Sequence, residues 1–178
     1  MKKISLIFLL LLFGCSGTTK QIIKKSPVDS NEQKLINQIS SENDKVGLRA
    51  IAILGRQDDA SEAVVQKYEY MFRNYKDYNR IEALLDAIYM YNNQIDFLAG
   101  LKVCLNRENE DIRDQAIDII GGIEYTEAMD VLIKALSNED PNVREEAEFA
   151  LEMHSDEEFK TPAEWEKWWK ENRAGFKF

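Results

Sequence analysis

Beyond residue 45, apolar residues return along the chain in one recurring pattern. In IRDQAIDII, polar or charged positions separate Ile112, Ala116, Ile119 and Ile120; in VREEAEFAL, Val143, Ala147, Ala150 and Leu151 fall in the same places 31 residues later. A step of 31 the other way lands on Ile81, Leu85, Ile88 and Tyr89. A further copy begins at Val46, with Ala50, Ile53 and Leu54, at a spacing of 35. The spacing i, i+4, i+7, i+8 puts these residues on one stripe of a helix, so each copy predicts an amphipathic α-helix with a single buried face. A second set repeats at the same interval, because Leu132 and Leu136 in AMDVLIKAL stand 31 after Leu101 and Leu105 in AGLKVCL. Each unit is therefore read as a helix pair.

Local chemistry marks the predicted ends. Asp140, ahead of Pro141, and Asn109, one unit earlier, are N-cap residues. Gly55 and Gly121 follow Leu54 and Ile120, where left-handed C-caps are expected. Ser30-Asn31-Glu32-Gln33 has capping-box spacing and opens a short helix carrying Leu35, Ile36 and Ile39. Thr161-Pro162-Ala163-Glu164 repeats that logic ahead of Trp165, Trp168 and Trp169, which share one helix face. One helix pair cannot bury its own face, whereas stacked neighbours make a continuous core. The expected fold is thus all-α: about four stacked helix pairs over residues 30–178, with an end helix closing each side. The three tryptophans are read as the closing surface of the last unit rather than as a ligand platform.

The stretches EDPNVREEAEFAL and NEDIRDQAIDIIGG resemble HEAT repeats, in the short bacterial form whose units run near thirty residues. The resemblance spans roughly residues 42–152; Gly47 and Glu82 stand where the later units carry Arg113 and Arg144, two arginines read as a structural ladder. It implies a right-handed α-α superhelix with one long curved face, commonly lined by the second helix of each pair, that recognises a protein or peptide. Residues off the core stripe on that face, Tyr70, Asp96, Glu127, Asp130 and Lys134, are the candidate partner contacts. Some HEAT-like repeat proteins resemble bilin lyases, which leaves an enzymatic or ligand-binding alternative open; a purely structural envelope component is a third.

Ahead of this body, MKKISLIFLLLLFGC has a basic start at Lys2 and Lys3, an apolar run over residues 4–13 and a small residue before the break, the parts of an export signal. At about 1.5 Å per residue that run is roughly half of what a bilayer core of ~30 Å requires, so it is an address rather than a span. Leu12-Phe13-Gly14-Cys15 resembles the lipobox of bacterial lipoproteins, which implies removal of residues 1–14 and lipid on Cys15. Each buried methylene contributes about 0.8 kcal/mol, so more than one acyl chain makes a durable anchor. By the same resemblance, Ser16 in place of Asp after the cysteine favours the outer over the inner membrane of a bacterial envelope. Residues 15–29, with Gly17, Pro27 and scattered Ser, Thr and Lys, read as a flexible tether.

Charge narrows the partner. The formal net charge is −9, and without Lys2 and Lys3 the balance is 21 basic against 32 acidic residues, or −11. Nucleic acid demands clustered Lys and Arg, and here they are scattered among more numerous carboxylates. A partner with a basic or polar surface fits better. The only cysteines are Cys15 and Cys104, and His154 is the only histidine, so no structural metal set is expected and no cofactor beyond the lipid. Cys104, in LKVCL, reads as a small core hydrophobe. Adjacent carboxylates such as Asp58-Asp59 and Glu145-Glu146 point about 100° apart on a helix and do not share a proton easily. Of the crowded tyrosines, Tyr68, Phe72 and Tyr75 share a packing face and Tyr70 and Tyr78 lie off it. With no base beside a nucleophile, no enzyme is assigned.

Overall fold

The computed structural model describes residues 28–178. The predicted leader, Cys15 and most of the tether, residues 1–27, lie outside the described residues. Within them the chain is helical, with no strand: α1 (Ser30–Gln38), α2 (Asp44–Leu54), α3 (Glu62–Asn74), α4 (Tyr78–Tyr89), a 3-10 turn (Gln94–Phe97), α5 (Leu98–Cys104), α6 (Glu110–Gly121), α7 (Thr126–Ala135), α8 (Pro141–Ser155) and α9 (Pro162–Asn172).

Side-chain oxygens open most of these helices. Asn43, Ser61, Asp77, Asn109, Asp140 and Thr161 each accept a hydrogen bond from a first-turn amide that has no partner inside the helix. The cap of α1 is Asp29 rather than Ser30: its Oδ1 accepts from the amides of Asn31 and Glu32 at 2.8 and 2.7 Å. Val28, just before it, already packs against the core.

The predicted left-handed glycine caps do not form. Gly55 and Gly122 close α2 and α6 in right-handed conformation, and Asp156, after α8, holds the only positive φ among the described residues. The glycines serve close approach instead. A Cβ at Gly55 would come within 2.8 Å of the Ala87 Cβ, one at Gly121 within 3.1 Å of the Ala150 Cβ, and one at Gly100 within 2.7 Å of the Phe72 ring. They let α2 meet α4, α6 meet α8, and α5 meet α3.

Helices α2, α4, α6 and α8 lie side by side in one layer; α1, α3 and α5, followed by α7 and α9, make the other. The pairing in space is shifted by one helix from the units read along the sequence. Among helices adjacent along the chain, the closest partners are α1 with α2, α5 with α6 and α7 with α8. The amino-terminal helix is thus the first half of the first pair rather than an end cap, and the repeated Val-Arg helices are the second members of their pairs.

Most of the predicted stripe is core: Ala50, Leu54, Ile81, Leu85, Ile88, Ile112, Ala116, Ile119, Ile120, Val143, Ala147, Ala150 and Leu151 are buried between the layers. Three positions depart from it. Val46 is half-buried. Ile53 is 37% exposed, on the helix that is first of its layer among the described residues. Tyr89 faces water where α4 ends, and Tyr91 tucks in instead, its ring stacked on Phe97 at 5.5 Å.

Gly100 tests the close-approach reading. Alanine is favoured over glycine in a helix by about 1 kcal/mol, yet its Cβ would drive into the fully buried Phe72 ring, and overpacking costs about 1–3 kcal/mol. Gly100→Ala is expected to lower stability by about 1 kcal/mol in urea unfolding; a gain of that size would refute the close-contact role.

Candidate interaction surface

The five candidate contacts do not form one site. Tyr70, on α3, is 54% exposed, with the Lys67 amine 5.5 Å from its ring centre and the Tyr75 ring edge-on at 6.4 Å. Its neighbours Tyr68 and Phe72 are wholly buried, so the crowded tyrosines split into a core face and a surface face. Asp96 sits in the 3-10 turn and accepts from Asn93 Nδ2 at 2.7 Å. That same asparagine clamps the Ala60 backbone, accepting from its amide at 2.9 Å and donating to its carbonyl at 3.1 Å. Asp96 therefore belongs to a network that ties the turn to the α2–α3 connection.

Glu127, Asp130 and Lys134 follow one strip of α7 at i, i+3 and i+7. The rest of that helix is inward, with Ala128, Met129, Val131, Leu132, Ile133 and Ala135 all buried. Asp130 is not free for a partner, because the closing helix has taken it. Trp169 Nε1 donates to its Oδ1 at 2.7 Å, and the Arg173 guanidinium donates at 2.9 Å through Nε and at 2.7 Å through its terminal nitrogen. These donors hold the Asp130 carboxyl below the usual carboxylate range against partial desolvation, with Arg173 the largest cause. Sequence reading missed this contact because residues 130 and 173 are joined only by the way α9 folds back on α7. Glu127 and Lys134 remain exposed.

The other layer carries a feature the candidate list left out. Asp114, Gln115 and Asp118 of α6 and Asn142, Glu145 and Glu146 of α8 line an open groove of about 430 Å³. Together α6 and α8 hold eight carboxylates (Glu110, Asp111, Asp114, Asp118, Glu145, Glu146, Glu148 and Glu152) against two arginines. Both arginines are turned to the inter-helix turns. Arg113 donates to the Arg107 and Glu108 carbonyls at 2.6 and 2.8 Å and pairs with Asp140 at 2.5 Å. Arg144 donates to the Asn138 and Glu139 carbonyls at 2.8 and 2.9 Å. Among the described residues the groove lining contains no basic side chain.

Groups with chemical potential elsewhere are enclosed. Burial pushes the Cys104 thiol up to about 12, which keeps it protonated and unreactive at neutral pH. Burial likewise raises Tyr68 well above its ordinary value and Tyr91 to about 12. The His154 Nε2 lies 2.7 Å from the Gly121 carbonyl, and its ring meets Phe178 edge-on at 5.2 Å. Among the described residues no three His, Cys, Asp or Glu side chains are placed to hold a metal, and no helix is long and apolar enough to cross a membrane.

The bond between Asp130 and α9 has a pH signature. A carboxyl whose folded value is depressed adds stability above its unfolded value, near 3.9, and loses it as the pH falls through the lower folded value. Acid below about pH 4 is expected to loosen α9 before the other helices, read as a shift in tryptophan emission. Asp130→Asn should remove that early acid step while costing under about 1 kcal/mol at pH 7, because water screens this half-exposed pair. An unchanged acid profile in the variant would assign the step to another group.

Residues 98–162 match the family model of HEAT repeats. The match opens on α5 and runs to the first residue of α9, so it takes in the pairs α5/α6 and α7/α8, the pairing seen in space. No curated protein matches the chain. Residues 28–178 fold as an all-α, solenoid-like stack that carries HEAT-like repeats.

Proposed function

We propose that this chain is a non-catalytic scaffold for protein interaction, anchored to a bacterial membrane through lipid on Cys15. The observation that carries the reading is the stack itself. Helical repeats of this kind are often used for protein interaction, because stacking leaves each helix one outer strip and aligns the strips into long surfaces. Here α2, α4, α6 and α8 adjoin in one layer, and α3, the 3-10 turn and α7 lie in the other. Two groups that could act as nucleophile or base are engaged in structure: Cys104 is enclosed, and the His154 ring meets the Gly121 carbonyl and Phe178.

The anchor rests on LFGC at residues 12–15 and on the basic and apolar segments before it. A short tether after Cys15 would hold the stack near the bilayer, with the outer membrane favoured by Ser16. The partner is a protein or peptide rather than nucleic acid, given the acidic balance of the chain.

Two measurements decide separate parts of this. Photocrosslinkers placed in cells at Tyr70 and at Glu127 are expected to trap a discrete protein; no adduct above background at either position sinks the scaffold reading for that face. Cys15→Ser is expected to leave a longer, unlipidated precursor that no longer fractionates with membranes. Retained acyl label and unchanged fractionation would refute the anchor and leave the scaffold standing.

A further inference from the structure

We infer that the outer face of α8, with the α6–α8 groove beside it, docks a basic amphipathic segment of a partner protein, one in which Lys or Arg flank an apolar side chain. This rests on the scaffold reading and names its surface and partner.

The apolar part of this surface lies on α8. Phe149 and Met153 are 59% and 67% exposed, one helical turn apart on one face. Glu145 and Glu146, which line the groove, stand one turn before Phe149 on that same side. The earlier units place no exposed apolar pair here: the places equivalent to Phe149 hold exposed Asp118 and buried Ala87, and those equivalent to Met153 hold Gly122 and buried Tyr91. Helix α8 is also the last of its layer, and α9 packs on α7 in the other one. The outer strip of α8 holding Phe149 and Met153 is open to solvent, while the end of the helix carries the Phe178 ring against His154.

The charge half selects the occupant. Helices in one layer are spaced by about 8–10 Å, comparable to a Debye length of about 8 Å in physiological salt, so the carboxylate fields of α6 and α8 add. Arg113 and Arg144 are both held by turn carbonyls. Asp114, in the groove wall, adds its carboxylate charge to those of Asp118, Glu145 and Glu146.

Other occupants satisfy only part of this surface. A purely apolar segment would strip water from the carboxylates without replacing its hydrogen bonds. A purely cationic one would leave Phe149 and Met153 in water, and an anionic lipid surface would be repelled. A basic amphipathic segment satisfies the carboxylates and covers the two apolar side chains together.

The test uses the full chain and three synthetic peptides of equal length: an amphipathic Lys/Leu helix, a Lys/Ser peptide of the same charge, and an Asp/Leu helix. Binding is followed by calorimetry across a salt series. The Lys/Leu peptide is expected to bind at least about tenfold more tightly than either control, with affinity falling as salt shortens the Debye length. The double change Phe149→Ala with Met153→Ala should weaken it about tenfold or more. Glu145→Gln with Glu146→Gln should weaken it about fivefold and flatten the salt dependence, whereas Asp58→Asn with Asp59→Asn, away from the groove, should leave it within about twofold. All six positions are surface residues, and the circular dichroism and thermal midpoint of each variant check the fold.

Equal binding of the Lys/Ser peptide, or indifference to the Phe149 and Met153 changes, would overturn the inference in favour of charge alone. No binding of any peptide would overturn it outright. A crosslink at Tyr70 persisting beside either result keeps the scaffold reading and places its surface on the other layer.

Discussion

Stacked helix pairs bury the turns between them, and a buried turn exposes carbonyl oxygens that must find donors once water is gone. Arginine supplies them throughout this chain. Arg80, only 5% exposed, reaches the Ile39 and Ser41 carbonyls at the end of α1 and pairs with Asp44 at 2.7 Å. Arg107 donates to the Phe72 and Tyr75 carbonyls at the end of α3, and Arg113 and Arg144 do the same service for the turns just before their own helices. A guanidinium suits the task because its planar fork carries five donors, enough for two carbonyls and a carboxylate at once. Its positive charge also falls where helix C-termini are electronegative. This use of cations inside the stack leaves the outside more acidic than the composition alone suggests.

The same constraint explains the irregular first half. Gly47 and Glu82 interrupt the arginine pattern when sequences are aligned by their apolar stripes. In space the two interruptions are one arrangement. Arg80 enters from the next helix of the layer and fills the room over Gly47, where a Cβ would stand 3.0 Å from the Ile39 carbonyl and 3.3 Å from the guanidinium carbon. An arginine at position 47 would compete with Arg80 for the same carbonyl, so the early units solve the turn problem from the other side.

Helix existence, the buried stripes and the caps at Asn109, Asp140 and Thr161 were legible because each depends on residues within a turn or two of one another. The period of the repeat was legible for the same reason. Its phase was not, since a string of alternating helices has the same periodicity whichever neighbour is named the partner. Only the packing of α1 on α2, and of α7 on α8, settles where a pair begins. The glycines were misread for a related cause: a residue after a helix that lacks a side chain suits both a left-handed cap and a close crossing, and only the facing Ala87 or Ala150 distinguishes them. Of the five candidate contacts, Asp130 was the one that local pattern could not protect, because its partners lie some forty residues on.

That shift of phase changes which face of the stack is the natural binding face. If the second helix of a pair lines the recognising surface, the helices concerned are α2, α4, α6 and α8, whereas Tyr70, Asp96, Glu127 and Lys134 all lie in the opposite layer. The end of the stack points the same way. Residues 159–178 gather Phe159, Trp165, Trp168, Trp169, Phe176 and Phe178 into one run of ring contacts, and α9 carries them onto α7, with Trp169 and Arg173 closing over Asp130. The closing helix thus occupies part of the strip on one layer, while the tail after it touches the end of α8 through Phe178 on His154. On the outer strip of α8 the chain has placed two exposed apolar side chains and a surplus of carboxylates, neither of which the core or the turns require.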